Sequence, residues 1–179
     1  SSDVCSSDLY TKSQFNLGVM YRDGVGVPQD YKMAVKWYTK AAEQGDAIAQ
    51  FELGLVYELG RGVPRDYKMA FKWYTKAAEQ GHSKAQNNLG HMYKSVLLDR
   101  KEAAKWYTKA AKQGNAVAQF NLGLMYEKGQ GVPQDYKMAF KWYTKSAEQG
   151  DASAKNNLGN MYKKGRVVPQ DYVKAHMWY

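Results

Sequence analysis

Apolar and small residues in this chain fall into pairs of short helical stripes separated by polar punctuation. Within residues 49–84, Ala49, Leu53, Val56 and Tyr57 stand at i, i+4, i+7 and i+8, one face of a helix. Asp46 precedes them as a candidate N-cap, and Gly60 follows them where a left-handed terminal residue suits glycine. Gly60-Arg61-Gly62-Val63-Pro64 then breaks any regular element. A second stripe, Ala70, Trp73, Tyr74, Ala77 and Ala78, opens after Asp66 as cap and closes at Gly81. Gly54, Ala70, Ala77 and Ala78 are small enough to let the two predicted helices approach closely. Tyr57, Trp73 and Tyr74 supply the bulk that fills what remains.

This grammar recurs along the chain. Trp-Tyr pairs at Trp37, Trp73, Trp106, Trp142 and Trp178 are spaced by 36, 33, 36 and 36 residues. Leu-Gly pairs at Leu17, Leu53, Leu89, Leu122 and Leu158 keep step with them. The division is 13–48, 49–84, 85–117, 118–153 and a partial 154–179, with residues 1–12 set apart as a non-native or disordered tail. The second and fourth units agree at 27 of 36 positions, so the period is real. A single helical hairpin cannot bury its own apolar face; stacked neighbours can. The expected fold is therefore all-α, a right-handed superhelical solenoid of hairpins.

The repeated string Ala-x-x-x-Leu-Gly-x-x-Tyr-x-x-Gly-x-Gly-Val-Pro-x-Asp-Tyr-x-x-Ala-x-x-Trp-Tyr-x-Lys-Ala-Ala-Glu-Gln-Gly resembles the Sel-one-like repeat (SLR) family, relatives of the tetratricopeptide repeat. A plain tetratricopeptide repeat has about 34 residues and a proline near the end of the unit. Here Pro28, Pro64, Pro133 and Pro169 lie between the two helices, which favours SLR. The resemblance implies a non-catalytic protein-interaction scaffold, mostly bacterial, serving signalling, envelope or host-contact assemblies. Some relatives are described as β-lactamases, but those are Cys-rich with disulfides inside the repeat, so that activity is not carried over.

Two stretches depart from the pattern. In the third unit Lys94-Ser95-Val96-Leu97-Leu98-Asp99 replaces the Gly-x-Gly-Val-Pro loop and is three residues shorter, predicting a tighter connection and a local change of curvature. Residues 1–9 read Ser-Ser-Asp-Val-Cys-Ser-Ser-Asp-Leu and resemble one reading frame of a common sequencing adapter. On that expectation Cys5 is not native, no disulfide is possible, and the native N-terminus is missing. The fifth unit stops at Trp178-Tyr179, which reads as a fragment. The compartment, cytoplasmic, periplasmic or secreted, stays open.

Composition alters this picture little. Across 179 residues, 44% are apolar and 24% charged, ordinary for a folded chain. No apolar run approaches the roughly 20 residues of a membrane helix. His82, His91 and His176 lie at no metal-ligand spacing, Ser95 and Ser146 have no adjacent base, and the glycine loops recur as punctuation. No catalytic residue, metal or cofactor is implied.

The candidate binding surfaces are two. With Leu53 set inward at about 100° per residue, Phe51, Leu55 and Glu58 point away from the partner helix. In tetratricopeptide-like solenoids that face lines the concave groove. Its candidates are Phe51, Leu55, Asn88, His91, Phe120, Asn121, Leu124, Asn157 and Asn160. Apolar sockets would take side chains of a peptide or protein segment, and amides its main chain. Equally, the Phe could pack on the next unit and the Asn on nearby backbone. The second surface is a lysine stripe at i, i+4, i+8 on the second helix of the first four units, including Lys36, Lys72, Lys105 and Lys141. It holds most of what makes the net charge +9. Its alternative role is to bind an acidic partner, anionic lipid or nucleic acid. Because the lysines do not vary between units, sequence-specific RNA reading is not expected.

Overall fold

A computed structural model of the chain describes residues 2–178, with side chains from Leu9 onward. Among these residues there are ten helices and no strand. They are α1 (Ser2–Asp23), α2 (Tyr31–Glu43), α3 (Ala47–Leu59), α4 (Tyr67–Glu79), α5 (Ser83–Ser95), α6 (Arg100–Lys112), α7 (Ala116–Lys128), α8 (Tyr136–Glu148), α9 (Ala152–Lys164) and α10 (Tyr172–Trp178). They form two compact units, the first ending at Ala85 and the second beginning at Gln86. Helix α1 takes in residues 2–12, which the sequence reading set apart as a tail. A helix already nucleated by packing propagates at little cost. Its Thr11 hydroxyl donates to Gln44 Oε1 at 2.6 Å, so contact with the second helix's end begins there.

The hairpin geometry follows from one contact. The first-helix glycine is a seat for the tyrosine of the Trp-Tyr pair. A Cβ on Gly54 would lie 2.3 Å from the ring of Tyr74, and one on Gly18 would lie 2.5 Å from Tyr38. In the second unit Gly123 and Tyr143 stand in the same relation at 2.7 Å, and Gly90 and Tyr107 at 2.9 Å. These four tyrosines are fully buried. Alanines on the second helices, Ala34, Ala41 and Ala42 in the first unit among them, complete the close approach and join Leu53, Val56 and Trp73 in one core. In the second unit Ala103, Tyr107, Ala110 and Ala111 pack with Leu122, Met125 and Trp142 in the same way.

Caps account for where the helices begin. Asp30, Asp66, Asp99 and Asp135 accept backbone N–H bonds at the starts of α2, α4, α6 and α8. Asp46, Asn115 and Asp151 do so for α3, α7 and α9. Each such bond satisfies a donor that has no partner within the helix. At α5 the residue is His82, whose Nδ1 accepts from the Ala85 N–H at 3.2 Å.

The loops are clamped by one further bond. The N–H of the capping Asp donates to the carbonyl of the first-helix Tyr: Asp30 to Tyr21 and Asp66 to Tyr57 at 2.9 Å, Asp135 to Tyr126 at 3.0 Å. The short third connection keeps it, with Asp99 donating to Tyr93 at 2.9 Å. Three residues are lost without moving the anchor points, although Leu98 takes a φ of 57° where the first, second and fourth loops use glycine. This is how the hairpin survives the deletion.

Candidate functional site

The first-helix face is built differently from the expectation in one respect. Phe51 does not point away from the partner helix. It is 9% exposed, and its ring centroid lies 5.9 Å from that of Tyr74 and 4.7 Å from that of His82. Glu58, also placed outward, accepts a hydrogen bond from the Tyr74 hydroxyl. The reason is the glycine seat: the partner helix faces Gly54 rather than Leu53. Phe51 and Glu58, one turn before and after Gly54, therefore flank the tyrosine ring. Phe120 repeats the contact at 5.8 Å from Tyr143, whose hydroxyl donates to Glu127 at 2.7 Å.

What remains on this face is mixed. Leu55 and Leu124 are half-buried, and His91 is exposed with Ser95 Oγ 3.4 Å from its Nε2. Asn88, Asn121, Asn157 and Asn160 are half-buried. The amides engage one another: Asn87 Nδ2 donates to Asn88 at 3.3 Å, and Asn121 Nδ2 to Asn87 at 3.5 Å. Asn157 lies beside the Tyr143 hydroxyl, whose proton is held more tightly chiefly because the group is buried.

A cavity of about 240 Å³ opens in the first unit among α1, α2 and α3, lined by Arg22, Tyr38, Glu52, Leu55, Leu59 and Arg61 among others. Arg22 donates from Nη1 to Glu52 at 3.2 Å and from Nε and Nη2 to Asp23 at 2.7 and 2.8 Å. The Tyr38 hydroxyl is buried beside the Arg22 guanidinium, a donor only, and has no acceptor for its proton. Burial pushes its pKa up to about 12, the nearby Arg22 opposing. Sequence reasoning missed this cavity, although the change of Arg22 to Glu58 at matching positions marks it.

A buried glutamine ladder was missed too. Gln50 donates to the Ala42 carbonyl at 3.0 Å and accepts from Gln80 at 2.8 Å. In the second unit Gln119 donates to Ala111 at 3.1 Å and accepts from Gln149 at 2.7 Å. Its signal was the glutamine after each first-helix alanine, at 50, 86 and 119, matched by one before each closing glycine.

The lysine stripe is exposed but not bare. Lys36, Lys72, Lys105 and Lys141 all face solvent. Trp73 carries Lys76 at 4.8 Å from its ring centre and Lys72 at 5.7 Å; Lys109 sits 3.9 Å from that of Trp106. Lys105 pairs with Glu102. Part of each stripe therefore covers the tryptophan edge of its own hairpin by cation–π contact. Among the described residues no cluster of three metal-ligating side chains occurs, and no helix is long and apolar enough to cross a membrane.

The chain is similar over 94% of its length to the crystal structure of c5321, a protective antigen of uropathogenic Escherichia coli strains displaying an SLR fold. The identity is 42% and the TM-score 0.90. It spans only 37% of that protein. It is equally similar to a Sel1 repeat protein from Oxalobacter formigenes, at 41% identity and TM-score 0.89, covering 94% of this chain and 71% of that one. Helicobacter pylori cysteine rich protein B matches 70% of this chain and 92% of its own at 25% identity and TM-score 0.56. No curated protein sequence matches. The all-α solenoid class read from the sequence stands on these structures. The Sel1 repeat model matches residues 11–46, 47–82, 83–115, 116–151 and 152–179, each boundary two residues before the one read from the sequence. Five consecutive repeats, the glycine seats beneath their tyrosines and the agreement with solved SLR structures converge: the chain belongs to the Sel1 repeat family.

Proposed function

We propose that this chain is a non-catalytic scaffold whose first-helix face binds a segment of a partner protein. Sel1 repeats generally mediate protein–protein interaction and are generally non-catalytic, which supports the coarse reading. The observation that carries the finer one is the character of the first-helix face. It changes from repeat to repeat, with half-buried Leu55 and Leu124 in some and half-buried Asn88, Asn121 and Asn157 on the same face, while the second-helix lysines do not change. A surface that must recognise something specific varies; a surface that only solvates need not. Phe51 and Phe120, committed to their tyrosines, act as the floor of this face and not as its sockets.

The experiment is affinity capture with the full-length protein at moderate salt, followed by NMR titration of this chain with the segment recovered. Shifts at Leu55, His91, Asn121, Leu124 and Asn157 are expected. Shifts confined to the second helices would instead favour the lysine stripe as the functional surface. That second reading draws support from Lys36, Lys72 and Lys141, which form no ion pair among the described residues. Salt separates the two, because exposed charges are screened beyond about 8 Å at physiological ionic strength, whereas apolar sockets are not.

A further inference from the structure

Comparing the repeats with one another shows a vacancy in the hydrogen bonding of the first. In the second and fourth repeats the buried tyrosine hydroxyl has an acceptor on the first helix: Glu58 takes the proton of Tyr74, and Glu127 that of Tyr143 at 2.7 Å. In the first repeat the matching position is Arg22, which can only donate. Tyr38 is 0% exposed, and its hydroxyl, beside a guanidinium that only donates, has no acceptor for its proton. The third repeat shows the same rule, with Lys94 at the position and the Tyr107 hydroxyl buried and unpartnered. Where the position is acidic the hydroxyl proton has an acceptor; where it is basic it has none.

The first-repeat tyrosine lies in the wall of the 240 Å³ cavity. Glu52, the acid in that wall, is already held by Arg22. Arg22 uses three of its five N–H groups on Glu52 and Asp23 and also lies against the Tyr38 hydroxyl. Arg61 is exposed at the cavity rim and holds no carboxylate among the described residues. Leu55 and Leu59 form the apolar side.

We propose that this cavity receives the carboxylate of an acidic side chain from a bound peptide, which accepts the Tyr38 proton and pairs with Arg61 and Arg22. The incoming Glu or Asp supplies from outside what Glu58 and Glu127 supply from within. Its methylene stem lies against Leu55 and Leu59. This rests on the peptide-binding reading above and assigns it one specificity, an acidic residue at the first repeat.

The test uses two C-terminally amidated peptide pools, identical except that every Glu in one is Gln in the other, together with N-acetylglutamic acid amide as the isolated carboxylate. Binding is followed by NMR of the Tyr38 ring and the Arg61 side chain. The Glu pool is expected to bind at least about tenfold more tightly than the Gln pool, as befits hydrogen bonds to a charged group. Tyr38→Phe and Arg61→Ala should each remove most of that preference, while Arg65→Ala, on the same loop outside the cavity, should not. Both variants leave the helix contacts in place, and retained melting profiles would verify it. Equal binding of the two pools with the Tyr38 ring unmoved overturns the carboxylate site and leaves the peptide-binding face standing. If N-acetylglutamic acid amide shifts Tyr38 and Arg61 while neither pool binds, the cavity takes a carboxylate and the peptide reading fails. Loss of preference in Arg65→Ala to the same degree would show general charge attraction and overturn the site.

Discussion

A tyrosine hydroxyl buried against a basic residue and one buried against an acid should answer oppositely to the same deletion. Tyr143→Phe removes a bond to Glu127 and should lower stability by about 1 kcal/mol. Tyr38→Phe removes a buried hydroxyl whose proton has no acceptor, and should leave stability unchanged or raise it by up to about 1 kcal/mol. Denaturant melts of the two variants check both signs. His82 offers a second contrast. Burial lowers its pKa, with Lys84 adding to the effect and Asp46 opposing it, and its Nδ1 must be unprotonated to cap α5. A base whose folded pKa is depressed is protonated more readily in the unfolded chain. Stability is thus retained at neutral pH and lost as pH falls below the ordinary histidine range, about 6.5, through the lower folded value. Thermal melts from neutral pH to about 5 should show a decline that His82→Asn, an uncharged cap of the kind Asn115 provides for α7, removes in part.

At the scale of the element, the close approach of paired helices sets the costs. Gly54→Ala would place a methyl 2.3 Å from the Tyr74 ring. Forcing extra volume into a packed site costs about 1–3 kcal/mol, against a helix-propensity gain of about 1. A net loss in melting stability is the expected result, smaller at Gly90, where the same atom would sit 2.9 Å from Tyr107. Gln50→Leu should cost about 1–3 kcal/mol, since it leaves the Ala42 carbonyl and the Gln80 amide without their partner. The helices, their caps and the loop glycines were legible because they rest on local periodicity and turn chemistry, as Asp66 and Gly60 illustrate. The orientation of Phe51 was not, because a helical wheel shows which residues share a face but not which face meets the partner. That choice is made by the Gly54–Tyr74 contact, twenty residues apart.

Across the whole molecule, charge and repeat grammar act on different properties. The formal net charge of +9 is concentrated on second-helix lysines, some of which are held over tryptophan rings. Screening their mutual repulsion should raise the melting temperature modestly as NaCl increases, the reverse of what a chain held by surface ion pairs would do. A melting temperature that falls with salt would contradict this balance. Number and order of repeats were readable from the sequence because each repeats the same spacing. The cavity beside Tyr38 was not, because it depends on one position differing between repeats and on what then fails to be paired.

The bond from each capping aspartate to the first-helix tyrosine has an evolutionary corollary. Since Asp99 reaches Tyr93 across five intervening residues as well as Asp66 reaches Tyr57 across eight, the spacing of the helices does not depend on the length of the connector. A change of length between those anchor points can therefore leave the anchoring bond of the hairpin in place. Such a connector is a natural place for a lineage to diversify, within the limit set by Gly62 and Val63, which pack against the preceding repeat.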